Sequence, residues 1–211
     1  MKKILLIGDS IRQGYDLYIK SALADTCEVY YPGENCRFAQ YVLRHLHDWK
    51  NTLKLDDSVD LVHWNAGLWD TLILYNDECL TPPDFYAYFI EKICQRMKLL
   101  FPNAVIVFAT STPVLEDKFP DNMVRKNMDV RKYNEIAIEI VKKYGFLVND
   151  LYAVIESVPE SCYSDMVHLY TPEGTRIITN AVLKTICSVL ALEYYPFTPE
   201  DYHAVKNVIG H

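Results

Sequence analysis

The sequence lacks the patterns that assign chains to several large protein classes. Its six cysteines form no C-x-x-C pair and show no metal-ligand spacing, so we predict no metal site. The glycine-rich patterns of nucleotide-binding proteins, G-x-G-x-x-G and G-x-x-x-x-G-K-[ST], do not occur. The G-x-S-x-G motif that α/β-hydrolases carry near the middle of their sequences is also missing, which disfavours that class.

Concentrated positive charge and long apolar runs are missing as well. The formal net charge is -7 and no basic block stands out, which disfavours nucleic acid as a partner because phosphate binding needs clustered Lys and Arg. No apolar run is long enough to span a membrane. Only four strongly apolar residues follow the initial Met-Lys-Lys, too few for a secretory signal. We therefore expect a cytoplasmic protein with reduced thiols and no membrane partner.

What the sequence does contain is an alternation of short apolar runs and amphipathic segments. Half of its 211 residues are apolar, enough for a substantial core, and we expect one domain over 1–211. The predicted strands are 3–7, 27–31, 59–64, 104–109 and 146–150, and the predicted helices are 82–101, 129–145, 171–193 and 197–208. This alternation predicts an α/β fold with a mainly parallel sheet of about five strands. Two longer stretches, 66–81 and 110–128, have the length of functional loops.

Chemically active residues stand at the ends of these runs. Ligands of open α/β sheets bind beyond the carboxyl ends of the strands. Ser10 follows the first run, Gly33 the second and Asn65 the third, while Asp165 and His168 precede the last long helix. A hydroxyl, backbone and amide donors, a carboxylate and an imidazole are the groups that acyl transfer requires.

Each of these residues has a physical reason for its role. A serine hydroxyl is a poor nucleophile until a base removes its proton, and histidine ordinarily titrates near neutral pH, so His168 is the candidate base. Asp165 is close enough in sequence to fix the tautomer of that ring. The N–H groups of Ser10 and Gly33 and the amide of Asn65 are candidate donors to the oxyanion.

At these positions the sequence resembles the GDSL, or SGNH, hydrolase family. The resemblance rests on "IGDSI", Gly33, Asn65 and the late "DMVH". It implies a flavodoxin-like three-layer α/β/α sandwich and hydrolysis of small-molecule esters or thioesters without a cofactor. It also implies that Ser10 is the nucleophile, His168 the base and Asp165 its orienting acid, and that Ser10 and Gly33 offer backbone donors.

The third block departs from the family pattern. The family often has G-x-N-D, with the Asn as an oxyanion donor, whereas this protein has "NAGLWD". Aligned on Gly67, Trp69 stands where the Asn is expected. We hypothesise that Asn65, at the strand end, supplies the amide from a shifted position.

Several of these residues also have structural interpretations. An Asp-Ser pair before a helix is a common capping sequence, so Ser10 alone is compatible with a helix cap. Asp9 and Asp70 are interpreted as structural, and His63, within an apolar run, as a core histidine. His203 and His211 are expected to face solvent.

The sequence leaves three hypotheses about function open. The first is a serine esterase that cleaves a small ester, such as an acetylated sugar, through an acyl-enzyme; thioesterase and lysophospholipase-type activities are variants of it. The second is a nucleotide- or flavin-binding module, which would leave Asp165 and His168 without a role. The third is an acyl carrier or scaffold without turnover. Tyr163, Tyr170 and Trp69 adjoin the proposed site and are candidates to shape an acyl or sugar pocket.

Overall fold

A five-stranded parallel sheet forms the centre of the molecule. The computed structural model describes residues 1–75 and 77–209. Its strands are β1 (Lys2–Ile7), β2 (Cys27–Tyr30), β3 (Leu61–Trp64), β4 (Ile73–Leu74), β5 (Val105–Ala109), β6 (Met123–Val124) and β7 (Leu147–Asn149). The central sheet has the order β2-β1-β3-β5-β7, with every neighbouring pair parallel. This is the flavodoxin-like order, in which the topological switch point lies between β1 and β3.

Helices cover both faces of this sheet. They are α1 (Ser10–Gln13), α2 (Asp16–Ala22), α3 (Ala39–Thr52), α4 (Pro83–Leu100), α5 (Asn127–Lys143), α6 (Leu151–Ile155), α7 (Pro172–Leu190) and α8 (Pro199–Ile209). No helix in the described ranges combines the length and the apolar character needed to cross a bilayer. The predicted three-layer α/β/α sandwich is therefore confirmed, and the predicted ends of the strands and long helices lie within a few residues of the observed ones.

The two faces of the sheet carry separate apolar cores. In β1, Ile4 and Leu6 pack with α1, α2, α6, α7 and α8, whereas Leu5 and Ile7 pack with α3, α4 and the main part of α5. Successive residues of a strand point to opposite faces, and both faces are covered, so the strand reads as one continuous apolar run. Burying each of these side chains stabilises the fold by about 1.5–3 kcal/mol.

The two long stretches predicted as loops contain a small second sheet. β4 and β6 pair in antiparallel fashion, with Ile73 opposite Val124 and Leu74 opposite Met123. Two-residue strands leave no periodic pattern in a sequence, which is why they were not predicted. The pairing joins the segment after β3 to the segment after β5, so both are held at the carboxyl edge of the central sheet.

His63 is a buried core residue in β3, as its apolar surroundings predicted. The hydroxyl of Tyr15 and the amide nitrogen of Asn149 lie 3.5 and 3.1 Å from its two ring nitrogens. Burial lowers the pKa of His63 to about 4. His203 is exposed, and His211 lies outside the described residues.

The buried histidine makes a testable contribution to acid stability. The unfolded protein takes up a proton at His63 near pH 6.5 and the folded protein only near pH 4, so stability is lost as the pH falls between these values. At 1.36 kcal/mol per pKa unit, the loss is about 3 kcal/mol. Between pH 7 and pH 4, the free energy of unfolding measured with urea is therefore expected to change by different amounts in the native protein and in His63→Gln. Over this range the native protein is expected to lose about 3 kcal/mol more than the variant.

Comparison with the variant is needed because another buried group acts in the opposite direction. Burial raises the pKa of Asp70 to about 6, so the folded protein binds that proton more readily and gains stability on acidification. Asp70 is common to both proteins, so its effect cancels in the difference. Parallel pH dependences of the native protein and His63→Gln would show that His63 is not buried in its neutral form.

Candidate active site

Ser10 is the first residue of α1 and lies directly beyond the carboxyl end of β1. The preceding residue caps the helix: Asp9 Oδ1 accepts a hydrogen bond from Ile11 N–H at 2.9 Å. Because Asp9 supplies the cap, the Ser10 hydroxyl is left for another partner, and the capping interpretation applies to Asp9 instead.

The partner of the Ser10 hydroxyl is His168, 158 residues further along the sequence. His168 Nε2 lies 2.7 Å from Ser10 Oγ. On the other side of the ring, Nδ1 lies 2.7 Å from Asp165 Oδ2. The structure thus brings the three residues predicted from the sequence into one hydrogen-bonded line.

A tight turn holds Asp165 in place. Its Oδ1 accepts the backbone N–H groups of Val167 and His168 at 2.7 and 2.8 Å, while Ser164 N–H donates to the His168 carbonyl at 2.8 Å. Partial burial opposes ionisation of Asp165, but the hydrogen bonds from the His168 ring and from the backbone hold its pKa below the ordinary value. An ionised Asp165 can only accept a hydrogen bond, which favours the ring tautomer with the proton on Nδ1 and leaves the lone pair of Nε2 facing Ser10.

Asn65 directly follows β3 and packs against the turn of Gly8, Asp9 and Ser10, which we call the Ser10 corner. It is only 4% exposed, and its amide helps to offset the burial that raises the pKa of Asp9. A Cβ built on Gly8 would lie 1.9 Å from Asn65 Oδ1, so the first glycine of the Gly-Asp-Ser motif leaves room for this amide. The structure places Asn65 beside Gly8 and Asp9, the two residues before Ser10, and its role as an oxyanion donor stays a prediction.

The segment after β2 contacts the Ser10 corner through Cys36. The N–H of Cys36 donates to the carbonyl of Gly8 at 3.1 Å. Gly33 is exposed, and a Cβ built there would meet no atom within 4 Å. The hydrogen bond from this segment to the corner therefore comes from Cys36, and the backbone donor role of Gly33 stays a prediction.

Arg12 is a buried cation that the sequence reasoning did not single out. Its side chain is 1% exposed and forms an ion pair with Asp16, four residues later at the start of α2. The guanidinium also donates to the carbonyls of Glu34 and Gly8, at 2.5 and 3.3 Å. Arg12 thereby connects the segment after β2 to the Ser10 corner. The spacing of Arg12 and Asp16 was the signal available in the sequence.

Asp70 and Arg125 are two further charged residues that lie near Asp9 in the Ser10 corner. Both carboxylate oxygens of Asp70 accept the N–H of Ala39, the first residue of α3, at 3.2 and 3.0 Å. Asp70 is fully buried, in keeping with its structural interpretation. Arg125, directly after β6, is buried and donates from Nε to the carbonyl of Leu68. Its positive charge favours the ionised form of the neighbouring Asp9.

Comparison with known proteins supports this architecture. No protein-family model and no curated protein sequence matches this one. Among solved structures, the acetyl xylan esterase AlAXEase is 18% identical with a TM-score of 0.67, over 87% of this chain and 99% of that one. The lipase/acylhydrolase from Enterococcus faecalis is 18% identical with a TM-score of 0.70, over 92% and 98% of the two chains.

A third solved structure is described as a member of the family that the sequence resembles. A member of the lipolytic protein G-D-S-L family from Veillonella parvula DSM 2008 is 18% identical, with a TM-score of 0.63 over 87% of this chain and 97% of that one. The protein has the fold of the GDSL hydrolases. Within that GDSL fold, Trp69 is half-buried and directly precedes the buried Asp70, at the block where the sequence departs from the family pattern.

Proposed function

We propose that this protein is a serine ester hydrolase that cleaves small acyl esters through an acyl-enzyme on Ser10. The observation that carries the proposal is the line of hydrogen bonds from Ser10 Oγ to His168 Nε2 and from His168 Nδ1 to Asp165, at 2.7 Å each. A hydroxyl, an imidazole and a carboxylate in this order are the arrangement that activates a serine nucleophile.

The proposed reaction has two halves. His168 Nε2 takes the proton of Ser10 as Oγ attacks the ester carbonyl, and the resulting imidazolium is stabilised by Asp165. The same proton passes to the departing alcohol oxygen as the carbon–oxygen bond breaks, which leaves an acyl group on Ser10. Water then attacks this acyl group with His168 as base, and the proton returns to Ser10 as the carboxylic acid leaves.

The tetrahedral intermediates need donors for their negative oxygen. The N–H of Ser10 is the first of α1 and has no acceptor within the helix, because the first four N–H groups of any helix lack one. Gly33 N–H and the amide of Asn65 are the further proposed donors. Each such donor typically lowers the barrier by about 3 kcal/mol.

Asn65→Ala tests the shifted amide donor. Removing the amide is expected to lower kcat for p-nitrophenyl acetate about 100-fold while KM changes little, because a donor to the oxyanion acts mainly in the transition state. A truncation at a buried site can also disturb folding, so thermal melts of the variant accompany the kinetics. Turnover close to that of the native protein would remove Asn65 from the oxyanion site.

Two observations support a small acyl group, such as acetyl, as the part of the substrate that reacts. The matched structures include those of two acetyl xylan esterases, AlAXEase and Axe2 from Geobacillus stearothermophilus, the latter 18% identical with a TM-score of 0.65 over 88% of this chain and 94% of that one. Tyr170 flanks His168, with ring centroids 4.6 Å apart.

A series of p-nitrophenyl esters of increasing acyl length, from acetyl to palmitoyl, tests the proposal. We expect kcat/KM to be highest for acetyl and to fall as the acyl group lengthens. A thioester of the same short acyl group and a lysophospholipid serve as further substrates. A preference for the thioester or for long acyl groups would contradict the small-ester assignment and favour the thioesterase or lysophospholipase alternative. An absorbance spectrum of the purified protein checks for bound flavin.

A further inference from the structure

Tyr170 touches both the candidate base and the backbone of the candidate nucleophile. Its ring stacks on the His168 imidazole, with centroids 4.6 Å apart and an interplanar angle of 25°. Its hydroxyl donates a hydrogen bond to the backbone carbonyl of Ser10 at 2.5 Å. One side chain thus connects the turn that carries His168 to the first residue of α1.

Gly14, at the end of α1, leaves the space that the Tyr170 ring occupies. A Cβ built on Gly14 would lie 2.6 Å from Cε1 and 3.0 Å from Cδ1 of Tyr170, closer than real Cβ contacts. The backbone of Gly14 has φ -72° and ψ -17°, a helical conformation open to any residue. The glycine is therefore needed for space rather than for backbone freedom.

Burial alone does not explain how the Tyr170 ring is fixed. The residue is 40% exposed, so much of it faces solvent. Its position is set instead by the stack on His168, the hydrogen bond to Ser10 and the close approach to Gly14. A half-exposed aromatic ring with three specific contacts at a reactive site points to a role in the site's geometry.

We propose that Tyr170 is a positioning residue that holds the His168 imidazole in line with Ser10 Oγ. This inference rests on the proposed function. The hydrogen-bond contacts at Nδ1 and Nε2 hold the two ring nitrogens but leave the plane of the ring able to rotate about the line between them. The flat face of Tyr170 opposes that rotation. The same face attracts the imidazolium that forms when His168 takes the proton, since an aromatic face attracts a cation.

Three variants separate the contribution of the ring from that of the hydroxyl. With p-nitrophenyl acetate, Tyr170→Leu is expected to lower kcat about 10- to 100-fold and to leave KM within about twofold, because the imidazole is misaligned while binding is kept. Tyr170→Phe retains the stacked ring and is expected to restore kcat to within about fivefold of the native value, the cost of one hydrogen bond. Gly14→Ala, which displaces the ring, is expected to lower kcat in the same way as Tyr170→Leu.

A double variant tests whether Gly14 acts through Tyr170. Once the ring is gone, the nearest of the neighbours that remain around a Cβ at Gly14 is the Ile11 carbonyl oxygen, at 3.2 Å. That contact is tight but longer than the contact with the ring, so Gly14→Ala/Tyr170→Leu is expected to be no slower than Tyr170→Leu alone. Multiplicative losses in the double variant would mean that Gly14 acts on α1 itself. That result would overturn the spatial part of the inference.

Other outcomes would overturn the positioning role directly. Native kcat in Tyr170→Leu, equal losses in Tyr170→Phe and Tyr170→Leu, or a change in KM alone would each contradict it. If Tyr170→Leu fails to fold in thermal melts, Tyr170→Phe and Gly14→Ala still decide the question, since the first keeps the ring and the second displaces it. A native protein without turnover on any ester would refute the proposed function itself, whereas native turnover with unaffected variants would refute only the role of Tyr170.

Discussion

Ester hydrolysis by Ser10→Ala is expected to be about three to six orders of magnitude slower than hydrolysis by the native protein. The variant lacks the only oxygen in hydrogen-bond contact with His168 Nε2 among the described residues, so no acyl-enzyme can form at this position. Losses of this size are typical when a serine nucleophile is removed. The measurement is kcat/KM with p-nitrophenyl acetate.

Controls separate the loss of chemistry from the loss of fold. Asp9 caps α1 and is unchanged in Ser10→Ala, so the melting temperature is expected to stay close to that of the native protein. Ser21→Ala, at an exposed serine of α2, is the matched control and is expected to keep full activity. His168→Ala and the double variant with Ser10→Ala are expected to match the single loss, because such residues act as a unit. Residual activity of Ser10→Ala within tenfold of native would eliminate Ser10 as nucleophile.

Arg12→Met is expected to lower the free energy of unfolding by about 3–5 kcal/mol, because it leaves the buried carboxylate of Asp16 without its partner. Burial raises the pKa of Asp16 even with Arg12 beside it, which shows how unfavourable that site is for an isolated negative charge. The variant also removes the donors to the carbonyls of Glu34 and Gly8. Urea denaturation at pH 7 measures the effect.

The protein offers a matched control for this ion pair. Arg44 and Asp48 have the same spacing on a helix, but Arg44 is 68% exposed. Arg44→Met is therefore expected to change stability by no more than about 0.5 kcal/mol. Equal losses in the two variants would show that burial does not set the contribution of the Arg12 pair. Arg12→Met/Asp16→Leu is expected to recover part of the stability by removing the unpaired charge.

The architecture was predictable because the hydrophobic pattern encodes it directly. Strands covered on both faces must be apolar throughout, as in "KILLI", and a helix covered on one face repeats its apolar residues with helical period. The four-residue α1 and the two-residue β4 and β6 are too short to show either period. Their positions follow from the Asp9 cap and from the pairing of two long connections, which are tertiary effects.

The candidate site was predictable only in part. Parallel strands bring their carboxyl ends to one edge, so Ser10 and Asn65 were expected to meet there. The approach of His168 from the far end of the sequence rested on resemblance, since no local pattern encodes a contact between such distant residues. The contacts of Cys36 and Tyr170 depend on side-chain placement around Ser10 and left no periodic or motif signal, and the only sign of Arg12 was its four-residue spacing from Asp16.

Covalent labelling with a fluorophosphonate shows whether Ser10 is a nucleophile activated by His168. The serine oxygen displaces fluoride from phosphorus, a reaction that is much faster when a nearby base activates the hydroxyl. Peptide mass spectrometry locates the adduct. We expect one adduct per molecule, on Ser10, and a labelling rate that falls sharply in His168→Ala, while Ser21→Ala is labelled like the native protein. An adduct on any other residue, or undiminished labelling of Ser10 without His168, would contradict it.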